Sequence, residues 1–319
     1  MIRRSLLTTA LTFPALRHAR AQAALPIVAS FSILGDMVRQ VAGDRPLALH
    51  VLVGPDADAH EFQPRPSDAE RLRGAALLVR NGLGFDAWID RLTRAAAFRG
   101  TVVTATDGIS PRVQEGGHDH AGHAHGGGAG RRRPHAVEPS RVPDPHAWGD
   151  PRNAVTYARN IAAGLAAADP ANAALYARNA EAYAARLTAL DAELRAAIAT
   201  IPEPRRRVVT SHDAFAYFGA AYAIRFLAPQ GVSTNAEPSA AEVAALIRHV
   251  RAEGITAVFL ENMASPTTLE RLAREAGVRV RGRLYADALS APSGPAPTYE
   301  ALIRHNAGLL LPAMRGDAP

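Results

Sequence analysis

Between residues 170 and 201, large apolar side chains recur at Tyr176, Tyr183, Leu187, Leu190, Leu194, Ile198 and Ile201. The steps of 7, 4, 3, 4, 4 and 3 residues describe one unbroken stripe along an α-helix. Pro170 suits its first turn, and Pro202 and Pro204 end it. About 30 residues at a rise of 1.5 Å give roughly 45 Å, enough to run the length of a small domain. The helix therefore divides the chain into a part before it and a part after it.

Both parts alternate short apolar runs with amphipathic segments, which is the pattern of α/β layers. Before the long helix, strands are predicted near residues 26–29, 48–54, 76–81 and 101–104. Helices are predicted near 33–41, 67–73, 87–96 and 151–168. After it, strands are predicted near 207–210, 224–228, 255–260 and 278–284, and helices near 214–221, 239–252, 266–276 and 298–314. The expected fold class is α/β: two similar lobes with parallel sheets flanked by helices, bridged by one long rigid helix. The expected divisions are 1–23 as a signal peptide, 24–169 as an N-terminal lobe, 170–201 as the linking helix and 202–319 as a C-terminal lobe.

The first 23 residues carry Arg3 and Arg4, an apolar stretch from Leu6 to Leu16, and a small-x-small end at Ala21-Gln22-Ala23. That order matches an export signal, and the Arg-Arg-Ser-Leu-Leu start also suits twin-arginine export. The competing reading is an ordinary first helix. With the signal removed, a soluble periplasmic monomer is expected. All 36 basic residues are Arg, against 30 acidic ones. Four of them lie in the signal, so the remainder carries 32 − 30 = +2. No basic, aromatic-interleaved patch stands out, so nucleic acid is not an expected partner. The chain has no cysteine, which excludes disulfides, thiolate metal ligands and a lipid-bearing cysteine. Any bound metal must be held by His and carboxylates.

Of twelve histidines, three sit where a strand pattern gives way to a loop or a helix start: His60, His146 and His212. Asp287 follows the last strand pattern, and Glu261 ends the one before it. In open parallel sheets, ligands bind beyond the carboxyl ends of the strands. Each residue also has a plain structural reading as a cap or a hydrogen-bonded core group. They are far apart in sequence, so spacing alone makes them candidates and no more. Three look-alikes fail. Ser211-His212-Asp213 are consecutive and cannot align as a catalytic triad; His60-Glu61 lacks the second His of a zinc-protease motif; Gly82-Leu-Gly84 does not continue into a dinucleotide fingerprint.

Several longer segments resemble one family. They are Gly54-Pro-Asp-Ala-Asp-Ala-His60-Glu-Phe-Gln-Pro-Arg-Pro-Ser-Asp68, Asn81-Gly-Leu-Gly-Phe-Asp-Ala-Trp88, Asp144-Pro-His-Ala-Trp-Gly-Asp-Pro-Arg-Asn153, Ser211-His-Asp-Ala-Phe-Ala-Tyr-Phe218 and Glu237-Pro-Ser239. In this order, from about residue 25 to the C-terminus, they resemble the zinc and manganese substrate-binding proteins of ABC transporters. The resemblance implies two α/β lobes bridged by a long helix, and no enzyme activity. It puts the metal ligands on His60, His146, His212 and Asp287, two from each lobe, with the ion in the cleft between. Glu261 would stand behind a ligand, with Asp58, Glu61 and Asp213 as further residues of that kind; water or another carboxylate replaces the fourth ligand in some relatives.

Manganese-selective members usually have a carboxylate at the position of His212, so the resemblance favours Zn(II) as the transported ion. The implied partner is an ABC transporter membrane permease, with a zinc metallochaperone or a periplasmic zinc hydrolase as alternatives and a surface adhesin as a further rival. Residues 114–143 are Gly, His, Arg and Pro with little to pack, and a disordered His-rich loop is expected there. His118, His120, His123, His125 and His135 would give it a loose, auxiliary metal affinity. His18, His50, His249 and His305 are expected to be signal, surface or packing residues.

Overall fold

The computed structural model describes residues 23–115, 141–234 and 238–317. Residues 1–22, which fall in the stretch expected to be a signal, Glu237 and the His-rich stretch with His118, His120, His123, His125 and His135 lie outside the described residues.

The first lobe is built from β1 (Leu25–Phe31), α1 (Ser32–Ala42), β2 (Leu47–Val53), α2 (Pro66–Arg73), β3 (Leu77–Arg80), α3 (Ile89–Ala96) and β4 (Thr101–Thr104). Its four strands are parallel in the order β2-β1-β3-β4. The chain first moves from β1 to one side and then crosses back to the other. The first and third strands are therefore neighbours, and their loops diverge above them to leave a crevice. Strands β1 and β3 are almost wholly buried and read as continuous apolar runs, as sheets covered on both faces do.

A short antiparallel pair follows, β5 (Val113–Glu115) with β6 (Arg141–Pro143). These residues frame the stretch expected to be unstructured from 114 to about 143; its two ends are paired instead. The stem is also fastened below, because Asp144 N–H donates to Arg112 O (2.8 Å) and Arg112 N–H donates to Tyr217 Oη (2.9 Å).

After α4 (Pro151–Ala168) and a 3-10 turn at Pro170–Asn172, the long helix α5 runs from Ala173 to Ala199. Its 27 residues span about 40 Å. Tyr176, Tyr183, Leu187, Leu190, Leu194 and Ile198 are buried along it, the same stripe that the spacing predicts. The helix packs on α1 and α4 and then on elements of the second lobe, so it is no exposed strut. One apolar core is continuous from the β1 and β3 side chains through Tyr183 and Leu187 to Tyr299 and Leu302. Gly164 lets α4 approach the first sheet: a Cβ there would meet Val103 Cγ2 at 2.0 Å.

The second lobe comprises β7 (Arg207–Val209), α6 (Ala216–Tyr222), β8 (Arg225–Leu227), α7 (Ala240–Ala252), β9 (Val258–Glu261), α8 (Pro266–Ala276), β10 (Val280–Leu284) and α9 (Tyr299–Arg315). Its parallel order β10-β9-β7-β8 repeats the topology of the first sheet, again with first and third strands adjacent. A second, smaller core of Val209, Ile247, Val250, Ile255, Val258, Leu269 and Leu272 lies under α7 and α8.

Candidate metal centre

His60, His146, His212 and Asp287, scattered over more than two hundred residues of chain, meet in one cluster with a ligand atom from each within 4.8 Å of the others. Each arrives from beyond the carboxyl end of a strand. His60 lies between β2 and α2, and His146 lies after β6, ahead of a 3-10 turn at Ala147–Gly149. His212 follows β7, and Asp287 follows β10. The centre of the cluster is the Asp287 carboxylate. Oδ2 is 3.2 Å from His60 Nε2 and 3.1 Å from His212 Nε2, and Oδ1 is 3.4 Å from His146 Nε2.

Five polar atoms converge there, the three Nε2 atoms and both oxygens of Asp287, and none has a hydrogen-bond partner outside the cluster. Burying polar atoms without partners costs roughly 1–3 kcal/mol each, so the cluster must be compensated from within, by shared protons or by a cation. A cation accepts lone pairs from the three nitrogens and the carboxylate. The far side of two imidazoles is already fixed. His146 Nδ1–H donates to Asp144 Oδ1 at 2.8 Å, and His212 Nδ1–H donates to the Glu261 carboxylate. A carboxylate on Nδ1 leaves the lone pair on Nε2 and orients the ring, which is how ligating histidines are held.

Local sequence explains how the loops present these rings. Asp58 Oδ1 accepts His60 N–H (2.8 Å), and Asp144 Oδ1 accepts His146 N–H (2.9 Å). Both are Asp-x-His turns, in which the short carboxylate caps the backbone two residues on. Glu261, at the end of β9, accepts Ser211 N–H (2.8 Å) and His212 N–H (3.0 Å) through Oε1. Its carboxylate is fully committed, so it stands behind His212 while Asp287 faces the centre. Glu61 is exposed at the rim of two cavities. Asp213 is half-buried, with its backbone amide bonded to Gly231 O. The other histidines make separate contacts: His50 with Arg71, His249 with Glu253 and His305 with Arg283 O.

Some supporting residues were not singled out as such by the sequence. Asn81, in the equivalent place at the end of β3, donates to Pro145 O (3.0 Å) and accepts from Tyr157 Oη (2.7 Å), fixing the turn that carries His146. Asp287 comes from the second lobe, but its loop is fastened to the first. Trp148 Nε1 donates to Ala286 O (3.0 Å), Leu289 N–H donates to Ser32 Oγ (2.9 Å), and Asp56 N–H donates to Leu289 O (2.9 Å). The Asp287 loop is thus fastened to the first lobe, which carries His60 and His146, while His212 is held on the second sheet. The Asp-x-His spacing was a readable signal for Asp144; nothing local marks Ser32 or Asn81.

The electrostatics follow from burial. Desolvation opposes charge on His146, but the Asp287 and Asp144 carboxylates outweigh it, and its pKa is pushed up to about 9. Burial likewise opposes charge on His212, yet Glu261 and Asp287 hold its pKa well above the usual imidazole value. Burial alone would raise Asp287, but His146 and His212 hold it well below the carboxylate range. The cluster is therefore one strongly basic, cation-seeking unit in which protons compete with metal.

The family described as "Zinc-uptake complex component A periplasmic" matches residues 27–312. The iron-binding protein YfeA of Yersinia pestis is 31% identical over 279 residues, covering 87% of this chain and 82% of YfeA. Among solved structures, the Mn-bound periplasmic metal-binding protein from Candidatus Liberibacter asiaticus aligns with a TM-score of 0.74 and 28% identity, covering 90% and 98% of the two chains. The periplasmic zinc-binding protein TroA from Treponema pallidum aligns with a TM-score of 0.78 and 25% identity, covering 92% and 99%. The two sheets, the long helix and the convergent site together with this match place the chain in the family of periplasmic metal-binding components of ABC transporters, substrate-binding proteins that work with a membrane permease and not enzymes.

Proposed function

We propose that the protein captures Zn²⁺ as cargo with His60, His146, His212 and Asp287 and hands it to the permease of a metal ABC transporter. The observation that carries this reading is the set of convergent polar atoms on those residues, none of them partnered outside the cluster. Three neutral imidazoles and one carboxylate suit a tetrahedral zinc ion, with Zn–N distances of about 2.0–2.1 Å. Manganese and iron(II) favour oxygen-richer sites, and the imidazole of His212 in place of a carboxylate shifts the preference towards zinc. Proteins named for iron, manganese and zinc are all similar to this chain, so the choice rests on the donor set.

Capture begins with the metal displacing protons from the imidazoles. Asp144 and Glu261 hold the two deepest rings in the ligating orientation, which lowers the cost of reorganisation on binding. The first 23 residues act as the export signal that brings the protein to the periplasm, and the His-rich stretch adds weaker auxiliary affinity.

The deciding experiment is elemental analysis of mature protein purified without added metal, beside His212→Ala and His212→Glu variants. About one zinc per chain is expected, lost in the Ala variant, with selectivity moving towards manganese in the Glu variant. Manganese or iron at that stoichiometry in the unaltered protein overturns the zinc assignment. No metal in any form overturns the site.

A further inference from the structure

We propose that the ion enters and leaves through the cavity beside His60, and that His60 is the ligand which opens first. This rests on the reading that the four-residue cluster holds a metal. Three observations separate His60 from the other ligands.

The first is burial. The side chains of His146, His212 and Asp287 are wholly shielded, whereas 5% of the His60 side chain is exposed. Its small opening faces a cavity of about 400 Å³ lined by Phe62, Phe85, Trp88, Glu61 and Val232, with His60 among the lining residues. No other cluster residue lines it. The neighbouring cavity of about 180 Å³, bounded by Asp58, Glu61 and Ser211, is lined by none of the four.

The second is anchoring. His146 and His212 are each pinned at Nδ1 by a carboxylate, and the Asp287 loop is bonded through Ala286 and Leu289. Among the described residues, no hydrogen bond reaches the His60 ring at Nδ1. Its backbone amide is held by Asp58, and its ring meets the edge of Phe85 at 4.7 Å between centroids. An aromatic edge contact is worth about 0.5–1.5 kcal/mol and permits rotation, while a carboxylate bond to an imidazole costs more to break.

The third is the supporting backbone. His212 lies three residues beyond β7 and forms a bridge to Gln230, and His146 leads directly into a 3-10 turn. His60 stands in the longer connection between β2 and α2, six residues ahead of that helix. Rotating one side chain moves far fewer atoms than a domain motion, so swinging His60 into the cavity opens one face of the site while three ligands stay in place. Glu61, at the rim of both cavities, is then the first carboxylate an arriving cation meets.

The test fills the cavity without touching a ligand. Ala87 is exposed and lines it; Ala87→Trp occupies that space, with Ala87→Leu as a smaller substitute should the first fail to fold. Ala264→Trp, in the second cavity, is the control. Zn²⁺ release is followed by stopped flow into a chromophoric chelator, and uptake by mixing metal-free protein with Zn²⁺.

The expected result is that Ala87→Trp slows both uptake and release by about tenfold and leaves the equilibrium affinity unchanged, while the control exchanges at the normal rate. Unaltered rates in Ala87→Trp overturn the route and mean that the lobes part to free the ion. Equal slowing in both variants overturns it as well. Failure of the unaltered protein to bind Zn²⁺, or binding that survives loss of both His146 and His212, instead overturns the metal site itself.

Discussion

Glu261 grips His212 from two directions: one carboxylate oxygen accepts the His212 backbone N–H and the other the ring Nδ1. A single residue at the end of β9 therefore fixes both the position and the tautomer of a side chain on β7's exit loop. Glu261→Gln retains an acceptor for the backbone but loses the negative charge behind the ring. Zinc affinity is expected to fall by about 10–100-fold with the fold intact, read by competition with a chelator of known strength. Glu261→Ala also leaves the Ser211 and His212 amides without acceptors, and a further loss of about 1–3 kcal/mol of stability per amide is expected in denaturant melts. An unchanged affinity in Glu261→Gln would show that the ring needs no such support.

The raised pKa of His146 sets the pH dependence of capture. Below about 9 its imidazole holds a proton in the metal-free state, and the ion must displace it. Apparent zinc affinity should fall at least about tenfold per pH unit between roughly pH 8 and 6, with protons released on binding. Calorimetry in buffers of different ionisation enthalpy measures that release directly. A flat affinity across this range contradicts ligation by His146.

Stability of the metal-free protein should move in the same window. The folded pKa of His146 lies above its unfolded value, so its ion pairs contribute fully below about 6.5 and are lost as pH rises through about 9. Asp287 is shifted the other way: its contribution is present above its ordinary value of 3.8 and is lost as pH falls through the depressed one. The melting temperature in the presence of a chelator is expected to drop from pH 6.5 to 9.5. Saturating zinc should raise it throughout, by an amount corresponding to about 4 kcal/mol at a thousandfold excess over Kd. A chelated protein that grows more stable across this interval refutes the assignment.

Asn81→Ala tests the hub behind His146. It removes the donor to Pro145 O and the acceptor of Tyr157 Oη in a wholly buried setting. A destabilisation of about 1–3 kcal/mol is expected from the orphaned groups, accompanied by weaker zinc binding because the His146 turn loosens. Stability lost with affinity intact would make Asn81 a purely structural residue.

Packing of α4 against the first sheet depends on Gly164. A methyl group there would sit 2.0 Å from Val103 Cγ2, so Gly164→Ala should cost about 1–3 kcal/mol despite its better helix propensity. Equilibrium unfolding of the two proteins decides between strain and propensity.

Sequence alone determined most of the elements. The stripe from Tyr176 to Ile198 settled the long helix, because a 3.6-residue period is local, and the two runs of alternating strands and helices settled the α/β class. It also supplied the candidate residues, since His60, His212 and Asp287 follow strand patterns where sheets bind ligands. Only the tertiary structure decided that four side chains from distant loops share one centre, and that Asp287, not Glu261, faces it. It likewise revealed the β5–β6 pair, the Ser32 and Trp148 bonds to the Asp287 loop, and the exposure that singles out His60. The physical reason is that periodicity and turn chemistry act between near neighbours in the chain. Convergence, burial and hydrogen-bond completion are set by which strand ends the sheet order and the inter-lobe packing bring side by side.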